Sequence, residues 1–95
     1  MRELIDIFGN TPRVRGIDFL LNTNGKAFKK SEFSRTINVY MTNRLDLLLE
    51  DFIAIGLLKK YMFNKKLFYK IDINSELLRK LMVFRNELIV LGSLS

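Results

Sequence analysis

Apolar residues recur along this chain at two different spacings, and the switches between them divide it into elements. Leu4, Ile5, Ile7 and Phe8 cluster at helical spacing and predict a short amphipathic helix over residues 2–8, with Gly9 able to close it in a left-handed conformation. Thr11 followed by Pro12 predicts a restart, a hydroxyl N-cap and then proline at the first helical position. That helix is expected to reach about Leu21, with Val14, Ile17 and Leu21 inward. Gly16 inside it costs roughly 1 kcal/mol against alanine, a cost compatible with a close helix crossing. Asn22 to Gly25 is turn chemistry. Ala27 and Phe28 suggest a very short strand, and residues 30–36 a helix with Phe33 inward, followed by a turn at Ile37, Asn38 and Val39. A third helix of this central group is expected over residues 40–55, with Met41, Leu45, Leu49, Phe52 and Ile55 as its buried seam, Leu48 beside it and Gly56 as its stop.

The period then changes from helical to alternating. Residues 57–71 predict a β-hairpin with Asn64 and Lys65 as a two-residue turn. In that register Met62 faces Leu67, Lys60 faces Tyr69 and Leu58 faces Ile71, a mostly apolar row. The other face carries Tyr61 opposite Phe68, Phe63 opposite Lys66 and Lys59 opposite Lys70. Asn74 or Ser75 caps a last helix that is expected to end near Leu91, with Gly92 as its stop. Leu77, Leu81, Phe84, Leu88 and Leu91 form a heptad seam along it, and Leu78, Met82, Val83, Ile89 and Val90 add further apolar faces.

Composition narrows the chemistry. The chain has 95 residues, 48% of them apolar, enough for one small core, so a single domain over residues 1–95 is expected. His, Cys and Trp are absent. Imidazole and thiol catalysis, the usual zinc and iron–sulfur sites and disulfides therefore have no ligands or nucleophiles here. The five glycines are isolated, so no phosphate loop is present. Asp46 and Glu50 stand at i and i+4 and could share a magnesium ion, although such a pair is more often a solvated acidic face. No catalytic residues, no metal and no cofactor are expected. Glu3 and Asp6 interrupt the N-terminal apolar run, so it does not read as a signal peptide, and no uncharged apolar stretch of about 18 residues exists to span a membrane. A cytoplasmic location is the default expectation.

The formal charge of +6 points to a polyanionic partner, and its distribution sharpens this. Lys26, Lys29, Lys30, Arg35 and Arg44 stand against Glu32 alone over residues 26–44, and Lys59, Lys60, Lys65, Lys66 and Lys70 stand against no acid over residues 59–70. Between them Asp46, Glu50 and Asp51 outweigh Arg44 and give the third central helix a charge of −2.

The order helix, short strand, helix, turn, helix, hairpin over residues 11–71 is the winged helix-turn-helix plan, mainly α with a small hairpin and here extended by N- and C-terminal helices. The stretch from Leu4 through Pro12 to Arg13, the segment Ser31, Glu32, Phe33, the turn at Ile37, Asn38, Val39, the run from Ile55 to Lys60 and the return Tyr69, Lys70, Ile71 carry the match. On these the chain resembles small archaeal winged-helix transcriptional regulators of the broad MarR/ArsR-like group. It departs from them at Lys29, where the helix before the turn usually opens with Ser or Thr.

The resemblance implies a dimeric, sequence-specific binder of double-stranded DNA that acts as a transcriptional regulator. The third central helix then enters the major groove, with Tyr40, Thr42, Asn43 and Arg44 on its reading side. Lys65 and Lys66 at the hairpin tip would lie on the backbone or minor groove, and Lys29, Lys30 and Arg35 would flank the phosphates. Arg13 could also reach a phosphate. Residues 75–91 would form the dimerisation helix, with Leu77, Leu81, Phe84, Leu88 and Leu91 at the interface; the bland alternative has the terminal helices covering each other within one chain. Tyr61, Phe63 and Phe68, interleaved with lysines, also read as a stacking platform for single strands, although aromatics so placed more often cover a neighbouring helix. Two other functions remain open: a protein-interaction module in a larger complex, using the Leu47 and Glu50 face, and a replication or copy-control protein with the same DNA contacts.

Overall fold

The computed structural model describes residues 4–94. Its elements run α1 (Leu4–Phe8), α2 (Pro12–Leu21), α3 (Lys30–Ile37), α4 (Thr42–Ala54), β1 (Leu58–Phe63), β2 (Lys66–Ile71) and α5 (Glu76–Leu94). The protein is mainly helical with one small antiparallel sheet. The part of the first helix expected before Leu4 lies outside the described residues.

Local chemistry explains most boundaries. The Thr11 hydroxyl accepts from the Val14 N–H at 3.2 Å, and Pro12 occupies the first turn of α2. Lys29 stands at the N-cap of α3 with no side-chain hydrogen bond, so the departure noted above leaves that end uncapped. Gly56 takes φ +84° directly after α4, a conformation that costs a glycine nothing. The Ser75 hydroxyl accepts from the Leu78 N–H at 3.1 Å and so caps α5. Gly92 does not end α5, which continues to Leu94. Glycine lowers helix propensity by about 1 kcal/mol without forbidding the helical backbone.

The hairpin has the register read from its sequence, with Leu58 facing Ile71, Lys60 facing Tyr69 and Met62 facing Leu67. Asn64 and Lys65 both have positive φ, 50° and 62°, as a two-residue turn matched to strand twist requires. Only the base of the apolar row is buried: Leu58, Tyr69 and Ile71 are inside, whereas Met62 and Leu67 project beyond the core. Phe28 joins the hairpin by a two-way bridge to Tyr69, each N–H donating to the other carbonyl at 2.8 Å.

One core cluster draws on every element, from Leu4 of α1 to Leu78 and Leu88 of α5. Its centre is aromatic. Phe19 meets Phe28 and Phe33 edge-on at 4.9 and 5.2 Å, and Phe33 meets Phe52 edge-on at 6.3 Å. Gly16 makes this packing possible. A Cβ at that position would stand 2.9 Å from the Phe52 ring and 3.2 Å from the Phe33 ring, so α2 passes closer to these side chains than alanine allows.

The seam of α4 needs correction at both ends. Leu45, Leu48, Leu49 and Phe52 are buried, but Met41 and Ile55 are exposed. Met41 is the extended N-cap residue and Ile55 the C-cap, so neither continues the helical periodicity that was extended through it. Among the described residues no helix is long and apolar enough to cross a membrane.

Candidate nucleic-acid interface

The N-terminal turn of α4 is held in place by the turn that precedes it. Asn38 takes the left-handed conformation (φ 59°, ψ 45°) at the end of α3. Ser34 then binds Val39 twice: its carbonyl accepts from the Val39 N–H at 3.1 Å and its hydroxyl donates to the Val39 carbonyl at 2.5 Å. Arg15 donates through Nε to the Ile37 carbonyl at 2.8 Å and through Nη1 to Asn10 Oδ1 at 2.9 Å. Ile37 and Val39 are buried on either side of Asn38. Arg15 thus serves the α3–α4 turn, and with Ser34 it fixes how α4 leaves the core.

Beyond that turn Tyr40, Met41, Thr42, Asn43, Arg44 and Leu47 are all exposed. Arg44 and Leu47 also line an open groove of about 550 Å³, together with Thr11, Pro12 and Arg13 at the start of α2 and Asp51 farther along α4. Arginine and asparagine side chains at a projecting helix start can hydrogen-bond base edges, and Leu47 offers a methyl-sized apolar contact.

The acidity of α4 looks different in three dimensions. Each of its acids meets a cation from another element: Asp51 with Arg13 of α2 at 2.7 Å, Asp46 with Lys30 of α3, and Glu50 with Lys60 of β1 at 3.0 Å. The hydrogen bond that Lys60 donates to Glu50, reinforced by the carboxylate's charge, raises the Lys60 pKa above the ordinary lysine value. Counted with these three partners, α4 carries one net positive charge, that of Arg44. Exposed pairs of this kind add little stability. Their effect is on the electrostatic field around α4, where they offset its acids.

The same pairs redistribute the basic residues nominated from sequence. Arg13 and Lys30 are engaged with carboxylates and are not free cations. Lys29 lies over the Phe68 ring, its Nζ 5.7 Å from the centroid. Arg35, in the last turn of α3, is exposed, as are Lys65 and Lys66 at the hairpin tip. The structure therefore gathers Thr42, Asn43 and Arg44 on one turn and leaves Lys65 and Lys66 on a separate projection. The pairing of α4's acids was invisible to periodicity, since it joins residues as far as 38 positions apart.

The proposed interface seam on α5 divides. Leu88 is buried, and Leu81 and Phe84 pack against the chain's own core, whereas Leu77 and Leu91 are exposed. Leu78, placed beside the seam, is the inward residue of the first turn. The terminal helices do meet within one chain, with the Phe8 and Phe84 rings 6.0 Å apart. Part of the exposed apolar surface of α5 is a strip that shares only Leu91 with the seam: Val83, Val90 and Leu91 line a shallow groove with Asn86 and Glu87.

Among the described residues no group of three or more His, Cys, Asp or Glu side chains is gathered to hold a metal ion. Compared with protein-family models, with curated proteins and with solved structures, the chain gives no match.

Proposed function

We propose that this chain is a winged helix-turn-helix protein that binds double-stranded DNA as a transcriptional regulator. In this reading α2, α3 and α4 are the three helices of the plan, and Phe28 with the β1–β2 hairpin forms its small sheet and wing. The N-terminal turn of α4 enters the major groove with Thr42, Asn43 and Arg44, and Lys65 and Lys66 clamp the backbone.

The observation that carries the proposal is the pairing of Asp46, Glu50 and Asp51 with Lys30, Lys60 and Arg13. Three acids on a groove-reading helix would repel phosphates; each here is offset by a cation from a neighbouring element. A second copy would bring two α4 helices to successive grooves about 34 Å apart. Val83, Val90 and Leu91, exposed on α5, give such a copy an apolar strip to cover.

Titration of a mixed-sequence duplex between about 50 and 200 mM salt tests the proposal. Contact with Z phosphates gives a log–log slope of roughly −0.9Z, and no binding at the low-salt end contradicts it. Exposed Tyr40, Met41 and Leu47 favour one rival, a helix that docks on protein. Binding that survives high salt and needs Leu47 would support that rival.

A further inference from the structure

The hairpin has an outward face whose aromatic side chains duplex binding leaves unused. From base to tip it holds Lys59 opposite Lys70, Tyr61 opposite Phe68, and Phe63 opposite Lys66. Aromatic side chains on a strand ordinarily cover a helix or a second sheet. Here Tyr61 is 46% exposed and Phe63 66% exposed. With Ala27, Phe68 and Lys70 they line a shallow groove of about 410 Å³. Lys29, the N-cap residue of α3, stands with its Nζ 5.7 Å from the Phe68 ring centroid. Lys29, Lys66 and Lys70 have no acidic partner within ion-pair distance among the described residues, and Lys59 has only Asp72, at 3.9 Å.

We propose that this face binds single-stranded nucleic acid, with bases stacked on Tyr61 and Phe63 and phosphates held by Lys29, Lys66 and Lys70. Rings bordered by lysines complement a ligand that presents flat apolar surfaces and negative charge in alternation, which is what an unpaired strand presents. A duplex hides the faces of its bases inside the stack. Same-face residues on a strand lie about 7 Å apart, roughly twice the 3.4 Å per base along a duplex strand. The platform therefore fits splayed bases and not stacked ones. The inference is independent of base reading by α4, because Tyr61 and Phe63 take no part in the duplex contacts assigned above.

Fluorescence anisotropy with a labelled oligothymidylate of about 12 nucleotides, at about 50 mM salt, tests it on the full chain. The wild type binds the oligomer, and Tyr61→Ala/Phe63→Ala weakens that binding more than threefold, in line with the contribution of stacking per base. Duplex affinity measured in parallel stays within threefold. Phe63→Leu, which keeps apolar bulk and loses the ring, weakens oligomer binding as well and guards against a folding artefact. Absence of oligomer binding, a loss below threefold in the double variant, or an equal loss on duplex and single strand would overturn the proposal. So would binding to phosphatidylserine vesicles that depends on these rings while oligomer binding does not.

Discussion

Arg13 and Asp51 lie 38 residues apart in the chain and meet at 2.7 Å, so that the start of α2 neutralises a carboxylate on the exposed side of α4. The pair is half exposed on both sides, which limits its worth to stability at about 0–1 kcal/mol. In the proposed function its consequence lies in binding. Asp51→Asn leaves the guanidinium without its partner, beside Arg44 in the same groove. The variant is expected to bind duplex DNA more tightly at low salt, with a log–log slope steeper by about 0.9 per chain and little change in thermal unfolding. Weaker binding than the wild type would show that Asp51 acts by orienting Arg13 and not by masking it.

The close approach at Gly16 predicts a stability effect of opposite sign to helix propensity. Alanine there gains about 1 kcal/mol as a helix former, but its Cβ enters a space bounded by the buried Phe52 and Phe33 rings at 2.9 and 3.2 Å. Overpacking a close-packed core costs about 1–3 kcal/mol. Gly16→Ala is expected to lower the Tm by several degrees, since about 1 kcal/mol corresponds to about 4–8 °C in a chain of this size. A Tm equal to or above that of the wild type, read by circular dichroism, would contradict the packing described.

Local signals were legible in the sequence and long-range ones were not. The Thr11 cap, the Pro12 start and the hairpin register followed from residue types at fixed offsets, because turn and capping chemistry acts over two to four residues. Met41 and Ile55 misled because periodicity continues through cap residues whose backbone has already left the helix. On α5 nearly every face is apolar, so several seams are available to a sequence reading. The Ser75 cap starts the helix, and packing against the core turns Leu78 inward in place of Leu77. The candidate interface was half legible. Thr42, Asn43, Arg44, Lys65 and Lys66 are exposed as expected, but the partners of Asp46, Glu50 and Asp51 come from three other elements and have no signature along the chain.

Lys65 holds a turn position and, in the proposed function, a phosphate contact, and substitution can separate the two. It holds φ +62° in the hairpin turn, where a side chain costs about 1 kcal/mol and glycine does not. Lys65→Gly is therefore expected to raise the Tm while weakening duplex binding, and Lys65→Ala to weaken binding with no such gain. Calorimetry on the two variants separates the backbone effect from the charge. A lower Tm for Lys65→Gly would contradict the turn geometry.

The exposed strip on α5 supplies a test of self-association that spares the core. Removing α5 would also remove Leu78 and Leu88, so its effect on assembly would be confounded with unfolding. Val90→Lys/Leu91→Lys changes only exposed positions. Light scattering is expected to give a dimer for the wild type and a monomer for this variant, with far-ultraviolet dichroism unchanged. A variant that remains dimeric would remove this strip from the interface.

Binding of duplex DNA by the hairpin lysines together with α4 is the central claim, and the salt slope of the Lys65→Ala/Lys66→Ala variant against that of the wild type tests it most directly. With a mixed-sequence duplex between about 50 and 200 mM salt, loss of two phosphate contacts flattens the log–log slope by about 1.8 for each chain bound. A wild type that binds with a steep slope and a variant flattened by that amount are the predicted results. An identical slope in both proteins, or a wild type that does not bind duplex at the lowest salt, would contradict the account.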